Sequence, residues 1–303
     1  MNGRLLNSIL FIIPALIWGS TWYVIKFQLG SVNPIMSVGY RFLAAGLILY
    51  LICRLFRYNL RFTAKEHGLF YLLGVCLFGI NYWLVYAAEQ YLTSGLIAVL
   101  FSLIVFTNTL LSALLLKTKI TWQVIMGGLL AITGTTFIFW NEITIMFTQS
   151  SITSAIVMGL VAVVLASFGN VLSAYNQKRE LPVIQANAYG MLYGSATVLA
   201  IGVIKGAGLT FDTSTSYVLS LIYLSVFGSI IAFTAYLKLI GRIGAPKASY
   251  IVVIVPVIAM IFSTIFESYQ WQRSALVGMP VLVMGNLIAL NRFGINKIFM
   301  KWK

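Results

Sequence analysis

The sequence predicts an all-α polytopic membrane protein: ten transmembrane helices arranged as two inverted-topology five-helix repeats. Three observations predict it. Of 303 residues, 60% are hydrophobic and 9% are charged, against roughly 45–50% and about 25% in soluble domains. Ten apolar runs, each close to the ~20 residues a helix needs to cross a bilayer, follow one another with short linkers. Landmarks of the first half return in the second at a nearly constant separation.

The first run, 7–28, follows Arg4 as the apolar core of a signal peptide would. It continues through Thr21-Trp22-Tyr23-Val24-Ile25 with no small-residue cleavage site, so it reads as an uncleaved span. Trp18, Trp22 and Lys26 recur at i, i+4 and i+8 on one stripe, beside the small Gly19 and Ser20. Trp22 is a candidate cavity residue; the alternative is a packing or lipid-facing stripe. The second run, 35–56, contains Arg41, seven residues past Pro34 and so about 10 Å into a helix. An arginine at that depth costs a few kcal/mol and has to face protein or water. Two readings follow. Arg41 is an anion receptor, its guanidinium pairing bidentately with a carboxylate, or it ties down carbonyls and snorkels to the outer surface.

The third run, 68–88, carries Asn81 and sets Tyr82, Tyr86 and Glu89 at i, i+4 and i+7. Such a stripe suits a cationic or amino group, with Glu89 as a coupling residue; an aromatic belt at the outer interface is the other reading. Asn108 in the fourth run, 95–116, and Asn170 with Ser173 in the sixth, 152–175, are better site candidates. An amide at mid-membrane depth needs partners, so it points inward, to a ligand or to another helix. Gly127 and Gly134 in the fifth run, 122–140, and Gly278 and Gly285 in the tenth, 274–293, keep a spacing of seven. Each pair shares one helix face, which predicts a close-packed brace or a homodimer contact. The seventh, eighth and ninth runs cover 183–204, 217–240 and 246–266.

Lys and Arg stay on the cytoplasmic side of membrane helices. With the N-terminus inside, 16 of the 20 fall in cytoplasmic segments. Lys26, Lys205 and Arg273 lie outside, and Arg41 lies within a span. Both termini are therefore expected in the cytoplasm. Pro34 returns as Pro182 at an offset of 148, Phe78-Gly79 as Phe227-Gly228 and Gly95 as Gly244 at 149, and Gly127 and Gly134 as Gly278 and Gly285 at 151. Five spans per half is an odd number, so the second repeat, 146–303, enters the membrane opposite to the first, 1–145.

Several classes are excluded. The net charge of +14 is scattered between apolar runs instead of clustering on a soluble face, which argues against a nucleic-acid partner. Cys53 and Cys76 give neither a disulfide framework nor metal spacing, and no cofactor is expected. The single histidine, His67, reads as a solvated loop residue. No catalytic constellation and no Walker motif is present, so no catalytic residue is assigned and ATP-driven transport is not expected.

Ile17-Trp18-Gly19-Ser20-Thr21-Trp22, Arg41-Phe42-Leu43-Ala44-Ala45 and the stretch Tyr223 to Glu267, with Pro256 and Glu267 in place, resemble the EamA family of the drug/metabolite transporter superfamily. The resemblance covers nearly the whole chain. In the first half, Leu103-Ile104-Val105-Phe106-Thr107 lacks the family's proline, and Lys117-Thr118-Lys119 stands where the second half has Glu267. The resemblance implies a ten-helix carrier in the inner membrane with a central cavity, moving small polar metabolites such as amino acids or their derivatives, often outward. The partners expected are thus a small-molecule substrate and the lipid bilayer. An intramembrane enzyme, or a channel or helper protein, is the competing class.

Overall fold

The computed structural model describes residues 3–145, 149–249 and 251–291. The basic residues Arg292, Lys297, Lys301 and Lys303 lie outside the described residues. Among the described residues the secondary structure is helical, without strands. Seven helices are long and apolar enough to cross a membrane: α1 (Leu5–Gln28), α2 (Pro34–Leu55), α3 (Ala64–Ala88), α4 (Ser94–Leu116), α6 (Ser150–Lys178), α7 (Val183–Ile204) and α8 (Thr215–Ile243). Three shorter apolar helices fall where the fifth, ninth and tenth spans are expected: α5 (Trp122–Ile138), α9 (Ile251–Phe266) and α10 (Arg273–Ala289). By length alone, therefore, seven of the ten expected spans are met, and the chain is a multi-pass membrane protein.

Local chemistry sets the helix starts. Asn33 caps α2, its side chain accepting from the Ile35 N–H, with Pro34 opening the helix. Pro is favoured there because its missing N–H is one the first turn cannot use. Thr63 and Glu66 form a reciprocal capping box at the head of α3. Ser214 accepts from the Tyr217 N–H at the head of α8.

Packing follows a rule of exchange. α5 packs against α10, α2 against α7, and α4 against α9. α1 meets α9 as α6 meets α4, α3 meets α6 as α8 meets α1, and α3 meets α7 as α8 meets α2. Swapping the two halves leaves these pairings unchanged. A π-helical turn marks both copies at the same place: Val75–Gly79 in α3 and Leu224–Ile231 in α8, whose first residues are 149 apart.

Glycine permits the closest approaches. A Cβ at Gly74 would lie 2.1 Å from the Gly190 carbonyl oxygen, and one at Gly194 would lie 2.5 Å from that of Gly74. The glycine faces of α5 and α10 fit each other. A Cβ at Gly127 would sit 2.4 Å from the Gly285 oxygen, and one at Gly278 would sit 2.6 Å from the Gly134 oxygen. Of the two roles expected for these glycines, the brace within one chain is the one they fill.

His67 departs from its expected solvation. It is half-buried, its Nδ1 pairs with the Tyr193 hydroxyl at 2.9 Å, and the rings of Phe62, Phe70 and Tyr189 surround it. On α3 His67 faces Tyr189 and Tyr193 of α7, which a hydrophilic reading of the loop cannot anticipate.

Candidate functional site

Six helices, three from each half, enclose a central cavity of about 60 Å³. α1 contributes Trp18, Thr21, Trp22 and Ile25; α3 contributes Leu77, Asn81 and Tyr82; α4 contributes Phe101 and Ile104. Their counterparts α6, α8 and α9 contribute Ala166 and Asn170, Phe233 and Tyr236, and Val252 and Val255. The rings interlock: Trp18 meets Phe233 and Tyr236 edge-on at 4.9 and 5.0 Å, and Trp22 meets Phe101 at 4.9 Å. The volume is well below the roughly 300–1,000 Å³ typical of small-molecule sites. The cavity is thus contracted.

Three polar atoms on this wall have no hydrogen-bond partner among the described residues: Trp22 Nε1, Asn81 Oδ1 and Asn170 Oδ1. Leaving such groups buried and unpaired costs about 1–3 kcal/mol each. One is a donor and two are acceptors, so together they suit a molecule that both accepts and donates.

Arg41 lies one layer behind, buried completely. Its guanidinium carbon stands 4.6 Å from the Tyr82 ring centre and 5.0 Å from that of Phe42. Nε donates to Ser229 Oγ at 3.0 Å and one terminal nitrogen donates to the Tyr86 hydroxyl at 3.2 Å. The other terminal nitrogen has no partner among the described residues. The π turn of α8 builds this seat. Ser229 Oγ donates to the Leu224 carbonyl, Ser225 Oγ donates to the Arg41 carbonyl, and a Cβ at Gly228 would lie 3.2 Å from the guanidinium. The guanidinium is buried and its partners are hydroxyls of α3 and α8 in place of carbonyls or the outer surface. Tyr82 lines the cavity and its ring faces the guanidinium.

Polar networks close the two ends. At one end Asn108 donates to Ser249 Oγ, and Asn170 donates to Asn108 Oδ1 at 3.4 Å and to the Tyr236 hydroxyl at 3.3 Å. Thr107 and Ser167 hydroxyls pair beside them. Asn108 therefore works through Asn170 and other helices and does not line the cavity. Ser173 lies one turn beyond and accepts from Gln177. Asn170→Ala is expected to cost about 1–3 kcal/mol by stranding Asn108 and Tyr236. That lowers the thermal midpoint by roughly 2–12 °C, at about 2–4 °C per kcal/mol. An unchanged midpoint in detergent would show that this network does not hold the end shut.

At the other end, Lys26 Nζ donates to the carbonyls of Glu89 at 2.5 Å and Leu92 at 2.9 Å, and pairs with Glu267 at 3.5 Å. The Glu267 carboxylate accepts from the Ser94 N–H at 3.2 Å and from the hydroxyls of Ser94 and Ser263. It thus sits at the N-terminus of α4, where an anion is favoured. Glu89 and Tyr86 are both fully buried, so the reading of the stripe as an interfacial aromatic belt does not hold for them. Neighbouring helices cover the face they occupy.

Of the sequence candidates, Trp22, Asn81, Tyr82 and Asn170 are brought together on the cavity wall. Arg41 and Tyr86 back it, and Asn108, Ser173 and Glu89 lie toward the ends. Sequence reasoning missed Tyr236, Ser229 and the Lys26–Glu267 pair. Two of these carried a signal: Lys26, as the third member of the stripe begun by Trp18 and Trp22, and Glu267, as the glutamate of the family resemblance.

The sequence matches the model of the EamA-like transporter family twice, over residues 5–140 and 153–291. It is 32% identical to the uncharacterized inner membrane transporter YedA of Escherichia coli K12, over 92% of this chain and 89% of that one. It is 26% identical to the protein PagO of Salmonella typhimurium, over 93% and 92%, and 27% identical to the uncharacterized transporter YoaV of Bacillus subtilis, over 92% and 94%. A crystal structure of a protein 13% identical superposes with a TM-score of 0.70, covering 96% of this chain and 99% of that chain. At that identity the likeness concerns the fold.

Proposed function

Since the chain belongs to the EamA-like transporter family, we propose that it is an inner-membrane secondary carrier exporting small polar metabolites, such as amino acids or their derivatives. The two halves, 1–145 and 146–303, would rock about the cavity in alternating access, with both chain ends in the cytoplasm. The observation that supports this reading is that Trp22, Asn81 and Asn170, which line a cavity that both halves share, each carry a buried polar atom without a partner among the described residues. A ligand bearing an acceptor and donors, as an amino acid does, satisfies all three. The cavity is too small for such a ligand until the halves part, and parting them is the transport movement itself. Rotation of Tyr82 would then uncover the free terminal nitrogen of Arg41 to receive a carboxylate.

The assignment to a carrier is supported by the match to the EamA-like transporter family and by the transporter relatives. The glycine faces of α5 and α10 are filled within the chain, so this reading needs no homodimer.

Counterflow tests it. Purified protein in liposomes loaded with one unlabelled metabolite at a time should accelerate entry of the same labelled compound, and the rate should saturate. A panel of amino acids and their derivatives is the first set. Flux that rises without saturation, or none across the panel, would refute the proposal.

A further inference from the structure

Lys26 has three N–H groups. Two are fixed on the Glu89 and Leu92 carbonyls at the end of α3, where the helix exposes carbonyls that attract a cation. One is left; it pairs with Glu267 at a loose 3.5 Å, while the Glu89 carboxylate feels the lysine's charge without pairing with it. Glu267 does not depend on the lysine alone, since Ser94 and Ser263 also hold it. Glu89 is in the opposite situation. It is fully buried, and neither of its carboxylate oxygens has a partner among the described residues. A buried carboxylate without hydrogen bonds is tolerated as the neutral acid and not as the anion. The charges facing it are Lys26 from α1, Arg41 from α2 and Glu267 from α9, with the phenols of Tyr82 and Tyr86 on its own helix.

We propose that Glu89 is a proton-binding site whose proton keeps α9 fastened to the α1–α3 corner. When Glu89 gives its proton to water, the new anion takes the last N–H of Lys26, which keeps its own charge and its two carbonyl partners. Glu267 then loses its one cation partner among the described residues and keeps only Ser94 of α4 and its own Ser263, so α9, in the second half, is loosened from α1 and α3, in the first. Rebinding the proton restores the Lys26–Glu267 pair. The exchange moves a single proton and breaks no covalent bond other than the O–H. On the carrier reading, which this deepens, it makes opening of that end follow proton occupancy. The equivalent stretch at the other end, Lys117-Thr118-Lys119, has no acid to fasten, so only one end carries the device.

The test needs no substrate. Spin labels at Tyr91→Cys and Gln270→Cys, both exposed and on opposite sides of the fastening, report the separation of α3 and α9 by pulsed electron resonance; the buried Cys53 and Cys76 are replaced by alanine. Raising the pH is expected to shift the distribution to longer distances, the open-to-shut ratio rising about tenfold per pH unit on the steep part for one proton. Glu89→Gln, isosteric with the neutral acid, should stay at the short distance at every pH. Glu267→Gln should give the long distance at every pH. A wild-type distribution that ignores pH, or a Glu89→Gln distribution that still shifts, would overturn the proposal. Counterflow could fail for every metabolite and leave this result standing, and the reverse also holds.

Discussion

Gly74→Ala is expected to lower the thermal midpoint of the protein markedly, and Gly74→Leu to leave no folded protein. A Cβ at this position would lie 2.1 Å from the Gly190 oxygen and 2.8 Å from its carbonyl carbon. Both are backbone atoms, so no side-chain rotation relieves the contact, and α3 must back away from α7. Overpacking of this kind costs about 1–3 kcal/mol, occasionally more, or roughly 2–12 °C at about 2–4 °C per kcal/mol. The displacement would also reach the cavity, because Leu77, Asn81 and Tyr82 follow Gly74 on the same helix. Gly68→Ala is the control. It sits in the same helix with nothing within 4 Å of its Cβ, and alanine is preferred to glycine in a helix by up to ~1 kcal/mol. Equal midpoints for the two variants would refute the α3–α7 contact.

Arg41→Met separates stability from transport. Arg41 has no carboxylate partner, and one terminal nitrogen goes unsatisfied in the interior. Replacing a buried charge by an apolar side chain of similar length is often neutral or stabilising. Of the hydroxyls it leaves behind, that of Ser229 already donates to the Leu224 carbonyl. The expected result is a thermal midpoint equal to or above that of the wild type. Transport of carboxylate-bearing substrates should fall at least about tenfold, equivalent to about 1.4 kcal/mol. Arg41→Lys should fail in the same way, since an ammonium cannot reach Ser229, Tyr86 and a ligand from one fork. Undiminished carboxylate counterflow in Arg41→Met would make Arg41 a packing residue.

The positions of the helices were readable because hydrocarbon demands long apolar runs, and each expected run coincides with a helix. Length was less readable: α5 ends at Ile138, short of its run 122–140. The inward orientation of Asn108 and Asn170 was readable, since an amide at that depth has to find partners. Whether a partner would be ligand or helix was not, and Asn170 has both kinds of atom: one nitrogen in a network and one oxygen free. Tyr86 and Glu89 illustrate the opposite case. Their spacing places them on one stripe, but only the approach of α1, α2 and α9 determines that this stripe is covered. The π turn of α8 left no trace in periodicity, because a single residue of extra width lies within the tolerance of a helical pattern. Ser229, the hydroxyl it presents to Arg41, was hidden for the same reason.

That widened turn bears on the history of the chain. A π turn is an α-helix with one residue inserted, and α3 and α8 carry it at equivalent places, 75 and 224. The simplest order of events is that the insertion came first and the gene segment was doubled afterwards, so both descendants inherited it. It also means that deleting one residue from either turn would rewind the helix and swing everything beyond it by about 100°. In α3 that carries Asn81 and Tyr82 away from the centre, and in α8 it carries off Phe233 and Tyr236. An ancestor built from a single copy, pairing with an inverted second copy about a two-fold axis, would already have had six such helices around its centre.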